Sequence, residues 1–501
     1  MGSFKKLLIA NRGEIAVRII RACREVGLPV VAVYSDADRG ARHVRMADEA
    51  YPIGGAAPKD SYLQMERILD VAKRSGADAL HPGYGFLSEN PDLAEACERA
   101  GITFVGPTAE AMRRIGEKTS ARAVARAAGV PVVPGSPSRV GSLEELRELA
   151  SQAGYPVLLK ACSGGGGKGM RRVDSEAGLA DAFRAAASEA RSAFGDGCVY
   201  LEKLIEHPRH VEVQLLADTA GNVVCLGERD CSIQRRHQKL IEETPSPAVT
   251  PALRAALFDA ATRVARSAGY LNAGTAEFLV DGRGGFYFLE MNARLQVEHP
   301  VTEEALGLDL VREQLRIAAG SRLDAERHPP PAPTRSAIEC RIYAEDPRNG
   351  FLPSTGTIEL LQQPAGPGVR VESASYSGMV VGPHYDPLLA KLVAWGGTRE
   401  EVVARMGRAL REYVVLGVKT TIPFHRFAMA EEGFLQGHYD THFVERWFEA
   451  VPEEEELLPV AVAAAALLAA RRRRPPLTLT SNPNGGTRWG AAARREAVGW
   501  R

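Results

Sequence analysis

The chain has 501 residues, a formal net charge of zero, and 45% hydrophobic and 25% charged residues. Such a length exceeds what one hydrophobic core usually supports, so we expect two to four domains. Zero net charge argues against a nucleic-acid binder that relies on bulk charge. The sequence has no apolar run of membrane-spanning length and no signal-peptide pattern, and its cysteines form no CxxC pair. These features predict a cytoplasmic protein with reduced thiols and no membrane or nucleic-acid partner.

The first 105 residues alternate between strand and helix patterns. Predicted strands lie at 7–10, 30–33, 77–80 and 103–105, and helical spacing marks 15–26, 65–73 and 93–100. This alternation predicts a doubly wound α/β unit whose ligands lie beyond the strand ends. Only Gly13 is present in the first turn, so the G-x-G-x-x-G fingerprint is missing and a nicotinamide-dependent dehydrogenase is not expected.

The loop after the fourth apolar strand runs HPGYGFLSEN over residues 81–90. Loops in this position often carry function in open α/β sheets. A turn that merely packs an aromatic ring explains the same residues equally well. The residues alone leave both interpretations open.

A glycine-rich run follows a compact segment that begins near residue 140. Residues 111–130 are a predicted helical connector that contains Lys118, and PVVPG at 131–135 interrupts it. Lys160 ends a predicted strand, and CSGGGGKGM at 162–170 joins it to the next strand. The run is not a Walker A loop, because Cys162 replaces the first glycine and Gly169 follows the lysine. Its bare N–H groups favour a flexible lid over ATP, and a plain surface loop is the alternative.

Two later segments add polar candidates. Glu202 lies in a predicted strand at 199–203 and is a candidate acceptor for an adenine amino group. Residues 228–239 carry four cationic side chains near their end. A solvated basic loop would explain them, but their place just before the hairpin described next favours an anion site.

The most informative stretch is a predicted hairpin followed by alternating polar residues. Residues 275–281 and 286–291 are predicted strands around a four-residue turn, so Asp281 should pair with Phe286 and Glu277 with Glu290. Two carboxylates about 5 Å apart repel by about 3 kcal/mol at an effective dielectric of about 20, which predicts a cation between them. With Asn292 they form an oxygen ligand set suited to Mg²⁺ or Mn²⁺.

The polar alternation continues beyond the predicted metal ligands. Residues 290, 292, 294, 296 and 298 would share one face of an extended chain. An amphipathic strand with a solvated face is the competing interpretation, but it explains Glu277 and the later charged residues poorly.

The C-terminal third begins after the proline-rich linker at 329–333. Residues 337–343 alternate and place Arg341 on the same face as Glu339. Short strands are predicted to about 395 and helices to about 450. Residues 457–470 are rich in Ala and Leu and predict an interdomain or partner-binding helix that is too short to span a membrane.

Five spaced motifs resemble the biotin carboxylase component of biotin-dependent carboxylases, a family of ATP-grasp ligases. They are HPGYGFLSEN, SGGGGKGM, ERDCSIQRRHQKL, EFLV with FLEMNARLQVEHPVTE, and AIECRIYAEDP with FLPSTG. The resemblance covers about residues 4–448 and is highly specific because the motifs occur together. YDPLLAKL and the DTHF segment near 440 favour an acyl-CoA carboxylase α-subunit type, of the acetyl-, propionyl- or methylcrotonyl-CoA kind.

The resemblance implies an α/β ATP-grasp fold in four parts. A doubly wound pre-ATP-grasp domain spans 1–115, and an ATP-grasp domain spans 116–330 with a mobile lid at about 135–203. A C-terminal α+β domain spans 331–450, and a helical linker or tail spans 451–501.

Residue roles are also implied by the resemblance. ATP-binding roles fall on Lys118, Lys160, Gly165, Gly166, Gly167, Lys168, Met170, Glu202, Lys203, His210, Gln234 and His237. Bicarbonate-binding roles fall on Lys239, Arg294, Gln296 and Val297, and metal-ligand roles on Glu277, Glu290 and Asn292. Tyr84, Gly85 and Arg341 would meet biotin, and the catalytic set would be Glu298, Arg294, Lys239 and Arg341. Arg18 lies where family members form a homodimer.

The implied reaction uses ATP with Mg²⁺ or Mn²⁺, and biotin as a carrier-bound substrate. Glu298 would take the proton of bicarbonate, carboxyphosphate would form, and Arg341 would stabilise the enolised biotin. None of the 11 lysines is flanked by methionine, so the carrier is expected on another chain or in a longer form of this one.

The expected partners are a biotin carboxyl carrier protein or domain and carboxyltransferase subunits, with a homodimer or a larger carboxylase complex. Two alternatives remain: another ATP-grasp ligase, of carbamoyl-phosphate or carboxyamino type, and a non-catalytic scaffold subunit. The first would lack the RLQVEHP and QRRHQKL combination, and the second would have lost Glu298, Lys239 or a metal carboxylate.

Overall fold

A computed structural model of the protein describes residues 4–136, 139–161, 170–194, 197–324 and 335–450. The predicted lid glycines, the proline linker and the predicted helix at 457–470 lie outside these residues. Met1–Phe448 form one compact unit, and Glu449–Arg501 form a second. Within the described ranges, every helix is too short or too polar to cross a membrane.

The N-terminal region is a five-stranded parallel sheet flanked by helices, which confirms the doubly wound prediction. Its strand order is β3-β2-β1-β4-β5. The elements are β1 (Leu7–Ile9), α1 (Gly13–Glu25), β2 (Val30–Ser35), α2 (Arg42–Met46), β3 (Glu49–Gly54), α3 (Met65–Ser75), β4 (Ala79–His81), α4 (Pro91–Arg99), β5 (Thr103–Phe104), α5 (Ala109–Ile115) and α6 (Lys118–Ala127), with 3-10 turns at Asp36–Asp38 and Pro58–Asp60.

Two local differences from the predicted elements have simple causes. β3 was not predicted because Ile53 is its one buried apolar residue, so it carries no apolar run. The predicted connector at 111–130 is two helices, since the chain breaks at Gly116 before α6 begins.

A small three-stranded sheet has a hydrophobic core of its own. It comprises α7 (Leu143–Ala153), β6 (Val157–Ala161), β7 (Arg171–Val173), α8 (Leu179–Phe194) and β8 (Val199–Lys203), with a 3-10 turn at Glu176–Gly178. β6 pairs antiparallel with both β7 and β8. Leu146, Leu159 and Leu201 are among the buried residues that pack the helices onto the sheet.

The central region continues the chain into a larger sheet. Its elements are β9 (Arg209–Ala217), β10 (Val223–Arg235), β11 (Gln238–Thr244), α9 (Pro251–Ala268), β12 (Asn272–Val280), β13 (Phe286–Asn292), α10 (His299–Leu306) and α11 (Leu310–Ala318). The basic segment at 228–239 is a hairpin rather than a loop. Arg236 and His237 make its turn with positive φ of 48° and 68°, and Lys239 therefore lies on a strand.

The C-terminal region adds strands to the same sheet. Its elements are β14 (Ser336–Tyr343), β15 (Glu345–Asp346), β16 (Leu352–Pro353), β17 (Gly356–Thr357), β18 (Leu360–Gln362), β19 (Val369–Ser373), β20 (Val380–Val381), β21 (Leu388–Gly396), α12 (Arg399–Glu412), β22 (Val414–Leu416), α13 (Ile422–Ala428), α14 (Glu432–Leu435) and α15 (Phe443–Ala450), with a 3-10 turn at Pro347–Asn349. The eight-stranded antiparallel sheet has the order β13-β12-β9-β10-β11-β14-β21-β19. One sheet thus carries residues from both sides of the predicted boundary at 330.

The register of the β12–β13 hairpin differs from the prediction near its turn. Val280, not Asp281, pairs with Phe286, so the turn is one residue longer than expected. Leu289 then forms a bulge, because Phe278 pairs with Phe288 while Glu277 pairs with Glu290. The bulge restores the predicted Glu277–Glu290 pair.

The predicted extended face beyond Asn292 is wrong. β13 ends at Asn292, and α10 begins at His299. The polar residues at 294, 296 and 298 therefore follow a turn, not one face of a strand.

The expectation of reduced thiols is also wrong for one cysteine. Cys198 is disulfide-bonded. The free cysteines among the described residues are all buried: Cys23, Cys97, Cys225, Cys231 and Cys340.

Candidate active site

A cleft of about 1040 Å³ brings together residues from the three larger sheets. That volume lies at the upper end of the range for small-molecule sites, so more than one small substrate would fit. The predicted residues that line it are Tyr84, Gly85, Lys118, Lys160, Met170, Glu202, Lys203, His210, Gln234, His237, Lys239, Glu277, Glu290, Asn292, Arg294, Gln296, Val297 and Arg341. Gly165, Gly166, Gly167 and Lys168 lie outside the described residues.

Lys239 is the buried hub of the cleft floor. Its Nζ donates to Glu298 at 2.6 Å, to Glu277 at 3.1 Å and also to Glu212. Burial lowers the pKa of Lys239, but the surrounding carboxylates outweigh burial and raise it well above its ordinary value. Lys239 is therefore a fixed positive charge, suited to hold an anion.

Glu298 lies fully buried between two cations. Its carboxylate accepts from Lys239 at 2.6 Å and from Arg341 at 2.8 Å. Burial raises the pKa of Glu298, but Lys239, Arg341 and Arg229 outweigh burial and hold it well below the ordinary value. The group is therefore an ionised carboxylate, which is the form that a general base needs.

Arg341 reaches this cluster from the neighbouring strand β14. Its Nε donates to Glu242 on β11 at 2.6 Å, in addition to its bond with Glu298. Glu242 pairs with Glu339 across the two strands, so the pairing of β11 with β14 sets where the guanidinium lies. Burial raises the pKa of Glu242 to about 7 despite Arg341, so that carboxyl is a weaker anion than Glu298.

Glu277 accepts four hydrogen bonds from three directions. His210 Nε2 donates at 2.9 Å, Asn292 Nδ2 at 2.9 Å and Gln296 Nε2 at 3.0 Å, beside the Lys239 bond. Burial raises the pKa of Glu277, but Lys239 and His210 outweigh it and keep the pKa well below the ordinary value. The pKa of His210 is raised in turn, since Glu277 outweighs the lowering by burial.

The predicted metal ligands fit a divalent cation by donor type and placement. Glu290 lies opposite Glu277 and is partly exposed to the cleft, with Lys118 Nζ at 3.5 Å. Asn292 follows two residues later and lines the same wall. Two carboxylates and one amide oxygen suit Mg²⁺ or Mn²⁺ and leave positions for phosphate oxygens.

Arg294 is positioned by residues from two separate regions. It donates to Gln296 Oε1 at 2.9 Å, to Asn292 Oδ1 at 2.8 Å and to Glu89 at 2.9 Å. Glu89 also accepts from the Ala293 backbone at 2.9 Å. The loop at 81–90 therefore braces the turn that follows β13, which favours its functional interpretation over a simple packed turn.

The predicted nucleotide residues lie along the small-sheet side of the cleft. Glu202 is buried and pairs with Lys160 at 2.5 Å and with Arg122. A carboxylate can accept about four hydrogen bonds, so these contacts leave it acceptor capacity. Lys203 donates to the backbone oxygens of Gly154 and Tyr155, which directs its charge away from a simple phosphate contact.

Three further positioning residues were not identified from the sequence. Arg229 is fully buried and donates to Glu212 at 2.6 Å, and Glu212 in turn contacts Lys239. Lys391 is also fully buried and donates to the Val297 backbone oxygen at 2.8 Å. The alternation at 210–214 places Glu212 on the same side as His210, which was the available signal. Nothing local marks Arg229 or Lys391.

Comparisons with known proteins agree over almost all of this region. Residues 3–112 match the family described as "Biotin carboxylase, N-terminal domain". Residues 117–326 match "Carbamoyl-phosphate synthase L chain, ATP binding domain", and 339–446 match "Biotin carboxylase C-terminal domain".

Individual relatives cover most of the chain at high identity. Biotin carboxylase 1 of Bacillus subtilis is 53% identical over 442 residues, covering 88% of this chain and 98% of the relative. A pyruvate carboxylase subunit of Methanothermobacter thermautotrophicus is 51% identical over 458 residues, covering 90% and 91%. A crystal structure of the 2-oxoglutarate carboxylase biotin carboxylase domain dimer of Hydrogenobacter thermophilus, with MgADP, ADP and bicarbonate, is 49% identical at a TM-score of 0.85. It covers 89% of this chain and 98% of that one.

Proposed function

This chain belongs to the biotin carboxylase family of ATP-grasp ligases, and we propose that it uses ATP and bicarbonate to carboxylate biotin carried by a separate protein or domain. It is an ATP-dependent ligase that uses ATP and a divalent metal, as its relatives indicate. The observation that carries the residue assignments is Glu298, a buried, ionised carboxylate held between Lys239 and Arg341.

Bicarbonate would bind beside the carboxylate that deprotonates it. Lys239, Arg294, Gln296 and the Val297 backbone line one part of the cleft and supply donors for an anion. In the free chain Glu298 is a weak base, since two cations lower its pKa. A bicarbonate ion competes for the same cations, which would raise the pKa of Glu298 and strengthen it as a base when the substrate arrives.

Glu277, Glu290 and Asn292 would hold the divalent cation. Bound there, the ion would neutralise charge on phosphate oxygens during transfer to the deprotonated bicarbonate. Lys118 and Lys160 line the cleft and would orient the phosphates, while His210 keeps Glu277 ionised. We propose the same nucleotide role for Met170, Glu202, Lys203, Gln234 and His237, together with Gly165, Gly166, Gly167 and Lys168 of the lid.

Biotin would meet Tyr84, Gly85 and Arg341. Arg341 would stabilise the negative charge that develops on the ureido oxygen as the ring nitrogen becomes nucleophilic. Its present partners, Glu298 and Glu242, hold the guanidinium in the cleft before substrate binds. Protonation of Glu298 by bicarbonate would weaken its bond with Arg341 and so free the guanidinium for the second step.

We propose the domain limits 1–115, 116–330 with a lid at about 135–203, 331–450 and 451–501. The separate hydrophobic core of the small sheet supports a lid that moves as a unit. A homodimer or a larger carboxylase complex is proposed as well, and the domain dimer named for the Hydrogenobacter relative supports it.

The acceptor of the whole carboxylase is proposed as an acyl-CoA, on the YDPLLAKL and DTHF segments. A 2-oxoacid such as pyruvate or 2-oxoglutarate is the second candidate, because relatives of similar identity are named for those acceptors. Pairing the chain with a biotinylated carrier and each type of carboxyltransferase would separate the two, since the transferase selects the acceptor.

The decisive assay for the first half-reaction is transfer of labelled bicarbonate to free biotin. ATP hydrolysis should depend on bicarbonate, and labelled carboxybiotin should accumulate. Glu298→Gln should stop both while still binding ATP. ATP binding without any labelled product in the intact chain would instead support a scaffold subunit, and a labelled product other than carboxybiotin would support another ATP-grasp ligase.

A further inference from the structure

Two histidines and an aspartate meet at the mouth of the cleft, apart from the proposed catalytic groups. His207 lies in the segment 204–208, which joins β8 of the small sheet to β9 of the large one. Asp440 and His442 come from the segment just before α15. His207 Nδ1 lies 2.8 Å from Asp440 Oδ2, and His442 Nδ1 lies 3.5 Å from Asp440 Oδ1.

These three side chains have the spacing of a metal-ligand set. One ligand atom from each lies within 4.8 Å of the others. A tetrahedral ion with ligand bonds of about 2.1 Å places its ligands about 3.4 Å apart, so small side-chain rotations suffice. The side chains of His207 and His442 are 75% and 48% exposed, which leaves the site open to solvent ions.

Donor chemistry separates this cluster from the proposed magnesium site. Two imidazoles and one carboxylate favour Zn²⁺ or a similar first-row ion, whereas Mg²⁺ prefers oxygen ligands alone. The carboxylate is already oriented, because Asp440 Oδ1 accepts from the His442 backbone N–H at 2.7 Å. The two segments are also in backbone contact, since Thr441 N–H donates to Pro208 O at 3.3 Å.

We propose that His207, Asp440 and His442 form a binding site for a transition-metal ion of the Zn²⁺ type. An ion there replaces the His207–Asp440 hydrogen bond with two metal–ligand bonds. It fastens the segment 204–208 to the segment 440–442. Since 204–208 is a direct covalent link between the small sheet and the large one, the bound ion restrains movement of the small sheet over the cleft.

The test is metal binding by the full chain in saturating Mg²⁺, with Zn²⁺ competed against a chromophoric chelator and Co²⁺ followed by its absorption. The wild-type chain should bind one more ion than His207→Asn does. Asparagine tolerates the positive φ of 47° at this position, so the backbone should be retained. Loss of one ligand should weaken binding at this site by at least about a hundredfold, because even supporting partners of a ligand cost about 10–100-fold.

His438→Asn is the matched control. His438 is exposed on the same segment but is outside the ligand set, so its variant should bind like the wild-type chain. Equal Zn²⁺ affinity and stoichiometry in wild type and His207→Asn would overturn the site. Hydrogen exchange at 204–208 should slow on adding Zn²⁺ to wild type and not to His207→Asn. Unchanged exchange in wild type, despite the extra ion, would overturn the restraint.

Discussion

At the scale of single residues, the buried carboxylates differ because each meets different cations. Glu298 touches two cations and has its pKa held well below the ordinary value, despite a burial effect that raises it. Glu242 and Glu14 are equally buried but meet less compensating charge, and burial raises the pKa of each to about 7. Residue type alone therefore says little about protonation state here, and the contacts decide it.

Glu290→Gln should abolish ATP turnover and leave the fold intact. The side chain is partly exposed and its ion pair with Lys118 is long, so the cost in stability should stay below about 1 kcal/mol. ATP hydrolysis in Mg²⁺ and the thermal midpoint are the two measurements. Glu277→Gln is the informative companion, since it removes a buried partner of Lys239 and should cost on the order of 3 kcal/mol. Near-normal turnover of Glu290→Gln would refute the metal assignment.

Glu14→Gln should gain stability relative to wild type as pH rises. Burial raises the pKa of Glu14 to about 7, although Lys391 lies 3.3 Å away. The folded chain therefore keeps a proton that the unfolded chain loses above about pH 4.5. Wild-type stability from this group falls between about pH 4.5 and pH 7, by at most about 3 kcal/mol.

Thermal midpoints of wild type and Glu14→Gln between pH 5 and pH 8 check this sign. Glu25→Gln, at the exposed end of the same helix, should follow the wild-type profile. Parallel profiles for wild type and Glu14→Gln would show that Glu14 titrates normally.

Arg341→Ala should depress carboxylation of biotin by about a hundredfold, equivalent to about 3 kcal/mol, because the ureido oxyanion loses its cation. ATP binding should be nearly unchanged. Removing Arg341 also leaves Glu242 and Glu298 without a buried partner, so thermal stability must be measured alongside. Arg341→Lys keeps the charge and should recover part of the activity. Equal biotin carboxylation by Arg341→Ala and wild type would contradict the assigned role.

At the scale of elements, the cleft depends on two strand pairings and one small sheet. The bulge at Leu289 compensates for a longer turn and brings Glu290 opposite Glu277. The pairing of β11 with β14 brings Arg341 beside Glu242. β6 and β8 carry Lys160 and Glu202, and they belong to a sheet that is not hydrogen-bonded into the large one.

Hydrogen exchange should detect the small sheet as a lid. Peptides covering β6, β7 and β8 should become more protected with Mg²⁺ and a nonhydrolysable ATP analogue, because closure limits their opening. Peptides from β12, in the large sheet, provide the internal reference and should change little. Equal protection of β6–β8 with and without nucleotide would argue against a closing lid.

At the scale of the whole molecule, one unit presents a carboxylating site without a biotin attachment lysine in its sequence. The described residues place the proposed bicarbonate, nucleotide, metal and biotin groups around a single cleft. None of the 11 lysines is flanked by methionine. The biotin ring must therefore enter that cleft from a carrier.

Biotin ligase should leave this chain unmodified, and the chain should carboxylate biotin supplied in trans. Mass spectrometry after incubation with ligase, ATP and biotin checks the first part. Labelled bicarbonate and a separately purified biotinylated carrier check the second. Biotinylation of any lysine in this chain would show that the carrier function resides within it.

The sequence by itself determined the family, the doubly wound N-terminal unit and the Glu277–Glu290 pairing. Those conclusions rest on local patterns, such as strand alternation and motif order, which operate over a few residues. The sequence did not show that β13 stops at Asn292, since a period of two continues through a turn as easily as through a strand.

Only the tertiary structure decided which distant groups complete the site. Arg229, Glu212 and Lys391 reach the cluster through pairing and packing between strands far apart in the chain. Buried charge requires a partner wherever the fold provides one, so the protonation states of Glu298 and Glu242 follow from sheet order. That order is set by packing of the whole chain and has no local signature.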